Sequence, residues 1–241
     1  MARPMAAEEH HTKIYVTGNY AAAMSPSSPV SFEMGMLNVH RAHTYKAINF
    51  SYGFFGYLGE ARYGNSTETP ETGKPTDIPA FNKQIGGLGL KTSIGYHITS
   101  GNGNTDFRVI NWENSIGTEM GSYTDFRKAL FNNQVYEKLY VSDKNTVWTT
   151  GLSTEIIWHA RKNVHIQHAF RVFFGFTPGL SSSFDRELPL SELGRSDNWV
   201  TNNARIANSF SYFLTVKRFS FSCEAAYNIN TACKLSLGYA F

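Results

Sequence analysis

From Val164 to Phe176 the chain alternates between two kinds of residue, interrupted chiefly at Phe173. Val164, Ile166, His168, Phe170, Val172, Phe174 and Phe176 form one set, and His165, Gln167, Arg171 and Gly175 belong to the other. A period of two is the signature of an extended strand with two unlike faces, and it is incompatible with a helix. The same pattern recurs at 45–62, where Ile48, Phe50, Tyr52, Phe54 and Leu58 oppose Ala47, Asn49, Ser51, Gly53 and Gly59. It recurs again at 204–216, where Ile206, Phe210, Tyr212, Leu214 and Val216 oppose Ala207, Ser209 and Ser211. Ten segments alternate in this way, roughly 13–21, 30–39, 45–62, 84–99, 106–121, 146–160, 164–176, 204–216, 218–227 and 231–241, and no segment of similar length carries a helical period. The class is therefore all-β.

One face of these strands is large and apolar; the other is small and polar with isolated charges. Ten large apolar faces would overfill a ten-stranded interior, whereas the small polar faces fit a lumen filled by side chains. The large faces then point into an apolar medium. A mean hydropathy of −0.31 does not argue against this, because alternating strands average to a polar composition. The longest apolar runs, such as Gly53-Phe54-Phe55-Gly56, are far short of the roughly 18–20 residues of a membrane-crossing helix. The pattern predicts an antiparallel up-and-down transmembrane β-barrel of about ten strands, with eight or twelve as alternatives; a strand at 134–141 would change the count.

The connections agree with this. Loops at 63–83, 122–145 and 177–203 are long, while His40 to Thr44, Gly101-Asn102-Gly103-Asn104, Arg161-Lys162-Asn163 and Lys217-Arg218 mark short turns. Long and short alternate until the last pair, as in membrane barrels whose long loops lie on one side. Within the long loops, 127–141 reads as a short helix or as strand extensions, and 184–194 as a helical turn over the mouth. Trp148 and Trp158 lie ten residues apart on one face. At about 3.3 Å per residue and a tilt of about 40° they span roughly 25 Å of membrane normal, the height between two aromatic girdles. Tyr96, Tyr212, Phe219, Tyr239 and Phe241 fall at one proposed girdle, and Tyr20, Phe32, Phe176 and Tyr227 at the other.

The last segment, Thr231 to Phe241, places Cys233, Leu235, Leu237, Tyr239 and Phe241 on one face and ends on an aromatic residue. The motif Leu235-x-Leu237-x-Tyr239-x-Phe241 resembles the C-terminal signal of bacterial outer-membrane β-barrel proteins. The resemblance implies the bacterial outer membrane as location, outer-membrane lipid as surroundings, and the barrel-assembly machinery as a partner that reads this strand. Residues 1–12 carry no apolar leader core and read as an N-terminal extension or leader remnant, with a single barrel over 13–241.

With the faces so assigned, the lumen is expected to hold Glu33, Lys91, His97, Glu113, Glu119, Glu155, His159, His165, Arg171, Glu224 and Lys234. The 161–163 turn would set His159 against His165, with Glu155 diagonal to Arg171. This cluster reads either as a polar site for acid–base work or as charge neutralisation in a filled lumen, and the second reading carries the greater weight. Spacing fixes no metal-ligand set, no cofactor motif is present, and no catalytic residue is assigned. Gly-x-Ser-x-Gly is absent. Cys223 and Cys233 fall opposite one another if the last turn is Tyr227-Asn228-Ile229, which allows a disulfide in an exported protein; two small lipid-facing residues are the alternative. The net charge of +3 without a basic cluster gives no support for nucleic-acid binding. The leading expectation is a structural or accessory component of the cell envelope, with envelope-protein partners. A narrow passive channel, an envelope enzyme acting on lipid or peptide, and a soluble ligand-binding barrel are the alternatives.

Overall fold

A computed structural model of the chain describes residues 10–24, 30–63, 80–101, 104–132, 144–160, 163–178, 206–227 and 231–241. These residues form ten strands and one helix: β1 (His10–Met24), β2 (Val30–Tyr45), β3 (Ile48–Tyr63), β4 (Phe81–Thr99), β5 (Thr105–Met120), α1 (Ser122–Asn132), β6 (Thr146–Ala160), β7 (Asn163–Phe176), β8 (Ile206–Val216), β9 (Phe219–Tyr227) and β10 (Thr231–Ala240). Every strand pairs antiparallel with its sequence neighbours, and β1 pairs with β10, so the sheet is a closed ten-stranded up-and-down barrel. The seam is continued by the Phe241 amide, which donates to the Ile14 carbonyl at 2.9 Å. The strand count and the loop parity are those expected from the alternation.

The faces are sorted as the sequence implies over most of the wall. The outer surface shows Phe54, Leu58, Phe174, Phe219, Leu237 and Phe241, each more than 60% exposed, among many other large apolar side chains. A water-soluble monomer rarely exposes more than a few hundred Å² of contiguous apolar surface, so the barrel exterior is built for hydrocarbon. On β3 the outward apolar residues run from Ile48 to Leu58 and then give way to Glu60 and Arg62. Ten residues at about 3.3 Å, tilted by about 40°, make an apolar belt roughly 25 Å tall. Tyr96, Trp148, Trp158, Tyr212, Tyr239 and Phe241 all sit on outward positions. Trp158 stacks on His168 at 5.4 Å, and Tyr239 packs edge-on to Phe241 at 4.9 Å.

Several boundaries differ from expectation. β2 continues to Tyr45, so 40–44 is strand, and the turn is Lys46-Ala47 with Lys46 at φ 51°. β1 begins at His10, inside the expected extension. The loop after β5 opens directly into α1, earlier than the expected 127–141. Residues 134–141 and 184–194 lie outside the described residues.

The main correction concerns β2, whose facing is the reverse of that expected. Val30, Phe32, Met34 and Met36 turn inward, and Glu33 turns outward. The cause is α1. The helix carries Tyr123 into the mouth of the barrel, where it packs with buried Ala61 and Ile85 and edge-on against Phe32 at 5.5 Å. Phe126 adds a contact with Phe81 at 4.7 Å. Here the inside of the barrel is apolar because a plug helix supplies an apolar neighbour. Burial pushes the Tyr123 phenol up to about 12, so it remains neutral at any physiological pH.

Glycines mark where the wall is tightest. A methyl group at Gly151 would come within 2.5 Å of the Gly175 Cα and 2.7 Å of the Phe173 ring, whereas one at Gly18 meets nothing within 4 Å. Gly151→Val is therefore expected to destabilise the barrel by about 1–3 kcal/mol through overpacking, and Gly18→Ala to leave it unchanged. Urea unfolding followed by tryptophan fluorescence, together with the fraction of heat-modifiable barrel on electrophoresis, measures both.

Candidate functional site in the lumen

The inward positions of β4 to β10 carry a belt of charge, densest toward the short-turn end. Its first unit is Arg108, whose guanidinium lies 3.3 Å from Glu155 and 4.0 Å from Asp106. His97 stands opposite Arg108 across β4 and β5. Simple alternation from Glu113 and Glu119 would send Asp106 and Arg108 out into lipid. A β-bulge prevents this: Arg108 pairs with Glu155 and Asn111 with Ser153, so two residues, Val109 and Ile110, face one. The extra residue reverses the facing, and the Thr154 hydroxyl donates to the Arg108 carbonyl at 3.1 Å across it. The expectation from sequence omitted Asp106 and Arg108. The signal was present in the adjacent apolar pair Val109-Ile110 and in two charges on an otherwise lipid-facing register.

The second unit is Glu113 and Arg171, which form a two-pronged pair with Nε donating to Oε1 at 3.2 Å and Nη2 closing on Oε2. The Ser153 hydroxyl donates to the same carboxylate. The third is Glu224, which accepts from Lys234 Nζ at 2.7 Å and from the Ser211 hydroxyl at 2.9 Å. Lys91 of β4, opposite Ser115, holds its ammonium 5.1 Å from the Phe55 ring centre. Nearer the mouth, Glu119 pairs with Arg127 of α1 at 2.7 Å, and Arg127 also donates to the Lys144 carbonyl at 2.7 Å. An ion pair thus joins the plug helix to the wall beneath it.

Burial decides what this arrangement does. Glu155, Arg171 and Arg108 are 3%, 4% and 7% exposed, and Ser211 is fully buried. Ions removed from water at this depth cost several kcal/mol each unless paired. Lys91, Arg108, Arg171 and Lys234 balance Asp106, Glu113, Glu155 and Glu224, four charges against four, so the belt is neutral as a whole. Among the described residues, no three of His, Cys, Asp or Glu converge to hold a metal ion.

Other expected pairings change. His159 faces Gln167 and not His165, because the register slips between His159 and Ala160 at the turn. The two histidines therefore form no cross-strand pair. Glu155 stands directly opposite Arg171 rather than diagonal to it, yet its close cation is Arg108. Glu33, outside the lumen, lies 3.8 Å from Arg62, which pairs with Glu60 at 2.8 Å. Cys223 faces Leu235 and Cys233 faces Ala225, because the last strands pair Tyr227 with Thr231, one step beyond the expected turn. The two thiols are exposed, diagonal to each other and unbonded.

No family model matches the chain, and no curated protein matches it by sequence. Comparison with solved structures finds the β domain of the Bordetella autotransporter BrkA, at 8% identity and TM-score 0.48, covering 97% of this chain and 99% of that one. It also finds an outer-membrane channel from Pseudomonas putida F1, at 8% identity and TM-score 0.41, covering 100% and 97%. A third is the translocator domain of the autotransporter NalP from Neisseria meningitidis, at 6% identity and TM-score 0.33, covering 95% and 87%. Likeness at these identities brings none of those proteins' activities to this chain.

Removing Arg171 alone should leave the Glu113 carboxylate buried without its guanidinium. Arg171→Met is expected to destabilise the barrel by about 3–5 kcal/mol, and adding Glu113→Met should restore most of that loss. Urea unfolding of the two single variants and the double variant in detergent measures the cycle. Electrospray masses of the protein under non-reducing and reducing conditions should be identical, with two alkylatable thiols.

Proposed function

We propose that this chain is a bacterial outer-membrane barrel with a closed lumen, serving as a structural or accessory component of the cell envelope. The observation that carries this reading is obstruction at two depths. Tyr123 and Phe126 of α1 pack into the mouth, and below them the inward side chains around Arg171, Glu155, Ile157, Ala169 and Phe213 are buried against one another. A wall so filled does its work through its rim and surface. The membrane-high apolar belt supports insertion in a lipid bilayer, and the closing strand that ends in Leu235, Leu237, Tyr239 and Phe241 is the segment on which the barrel-assembly machinery would act.

The charged lumen favours a second reading, a narrow channel gated by α1, since withdrawing the helix would expose Glu119 and the belt below it. Planar-bilayer recording separates the two. The wild-type barrel is expected to show no steady openings, and a variant lacking 122–132 only brief, small ones, because the lower belt remains in place. Steady, ion-selective openings of the wild-type protein would establish the channel instead. Loss of any lipid or peptide hydrolysis on Glu155→Gln would support the enzyme alternative.

A further inference from the structure

The outer wall is not uniformly smooth. Across β10, β1, β2, β3 and β4, between Phe221 of β9 and Met120 of β5, the structure shows a groove of about 1020 Å³ with an almost wholly apolar lining. That volume is at the upper end of small-molecule sites, roughly 300–1,000 Å³. Its floor passes over outward positions held by Gly18, Gly35 and Gly56, and its sides are Leu37, Leu58 and Leu237. A methyl at Gly18 would meet nothing within 4 Å, and one at Gly35 only the Leu58 carbonyl at 3.9 Å, so the hollow above these two glycines is real space.

A charged cluster crowns the groove. Glu33 is the next outward residue above Gly35 on β2, and Glu60 the next above Leu58 on β3, each about 7 Å higher along its strand. Arg62 pairs with Glu60 at 2.8 Å and lies 3.8 Å from Glu33, with all three side chains about half exposed. Tyr20 lines the groove on β1 beside Gly35, so the hollow runs up to the strand positions just below Glu33 and Glu60. The cluster begins where the apolar belt of β3 ends, at the depth of lipid headgroups, while the groove lies at the depth of acyl chains. An occupant must be amphipathic in that order. Two carboxylates against one guanidinium leave the cluster one negative charge in excess, which selects for a cationic group beside any phosphate.

We propose that this groove binds one phospholipid whose headgroup carries both a phosphate and a primary ammonium. The acyl chain lies over Gly18 and Gly35, the ammonium meets Glu33 and Glu60, and the phosphate meets Arg62. The inference rests on the barrel spanning a lipid bilayer, as proposed above. A peptide segment or a second copy of the chain would fill the same hollow without using the cluster.

The test is native mass spectrometry of the barrel released from vesicles of phosphatidylglycerol containing a minor fraction of phosphatidylethanolamine. One phosphatidylethanolamine should remain on the wild-type barrel, with a preference over phosphatidylglycerol of about tenfold. Gly35→Leu, which fills the hollow, should reduce retention about tenfold. The double variant Glu33→Gln/Glu60→Gln, altered only at half-exposed side chains, should retain lipid without preference. Equal retention of the two lipids by wild type, unchanged retention by Gly35→Leu, or a lipid-free dimer would each overturn the inference. A heat-modifiable, membrane-fractionating barrel that holds no lipid overturns this inference alone, whereas failure to fractionate with membranes overturns the envelope reading beneath it.

Discussion

In lipid hydrocarbon every backbone N–H and C=O needs a partner within the protein, and the pairing of β1 with β10 is what meets that need here. Ten residue pairs between β1 and β10, from Tyr15 against Ala240 to Met24 against Thr231, leave no open edge at the seam. Closure in turn forces a choice of faces, because each strand presents alternate residues to the lumen and to the surroundings. A narrow lumen has room for only a few large side chains, such as Ile157 and Phe213, beside small ones and polar ones that find partners. The large residues are thereby driven outward, where hydrocarbon accepts them. The unusual distribution of this chain, with leucine and phenylalanine outside and serine, glutamate and arginine inside, follows from that single constraint.

The same narrowness makes the inner charges interdependent. Inside a narrow barrel an unpaired ion is expensive, and the wall answers with pairs drawn from different strands: Arg108 with Glu155, Glu113 with Arg171, Glu224 with Lys234. The belt couples β5, β6, β7, β9 and β10 through side chains in addition to the backbone ladder, and the Ser153 and Ser211 hydroxyls occupy remaining acceptor positions. Residues that form a mere list of Glu, Arg and Lys in the sequence stand, in space, as three ion pairs. At the other end, α1 replaces charge pairing with aromatic packing, and the Glu119–Arg127 pair marks the boundary between these two kinds of plug.

Much of the wall could be read from residue order because local alternation and global closure obey the same rule. Glu113, Glu155, Arg171, Lys91 and Lys234 lie inward, as alternation implies, and Trp148 and Trp158 lie outward. The exceptions each have a local cause. The bulge at Val109-Ile110 shifts parity by one and brings Asp106 and Arg108 inside. The slip at Ala160 separates His159 from His165. A one-step difference in the last turn moves Cys223 and Cys233 off a shared rung. Turn length and bulge position hardly change composition, so alternation alone does not reveal them, although each changes who meets whom.

β2 shows a different kind of limit. Its inward residues Val30, Phe32, Met34 and Met36 break the rule that apolar side chains face lipid, and the first three find apolar company in Tyr123 and Phe126 at the mouth. Periodicity in the sequence by itself determined the strand class, the sidedness of the loops and the membrane-high belt, since these depend only on the two-residue repeat and its length, whereas closure fixed the strand number at ten. The tertiary structure alone decided the partners: which carboxylate holds which guanidinium, that Tyr123 of α1 packs inside the mouth, and that Glu33 lies outside, above an outer groove. Partners depend on register and on the medium filling the space beside each residue, and both are set by closure of the whole barrel.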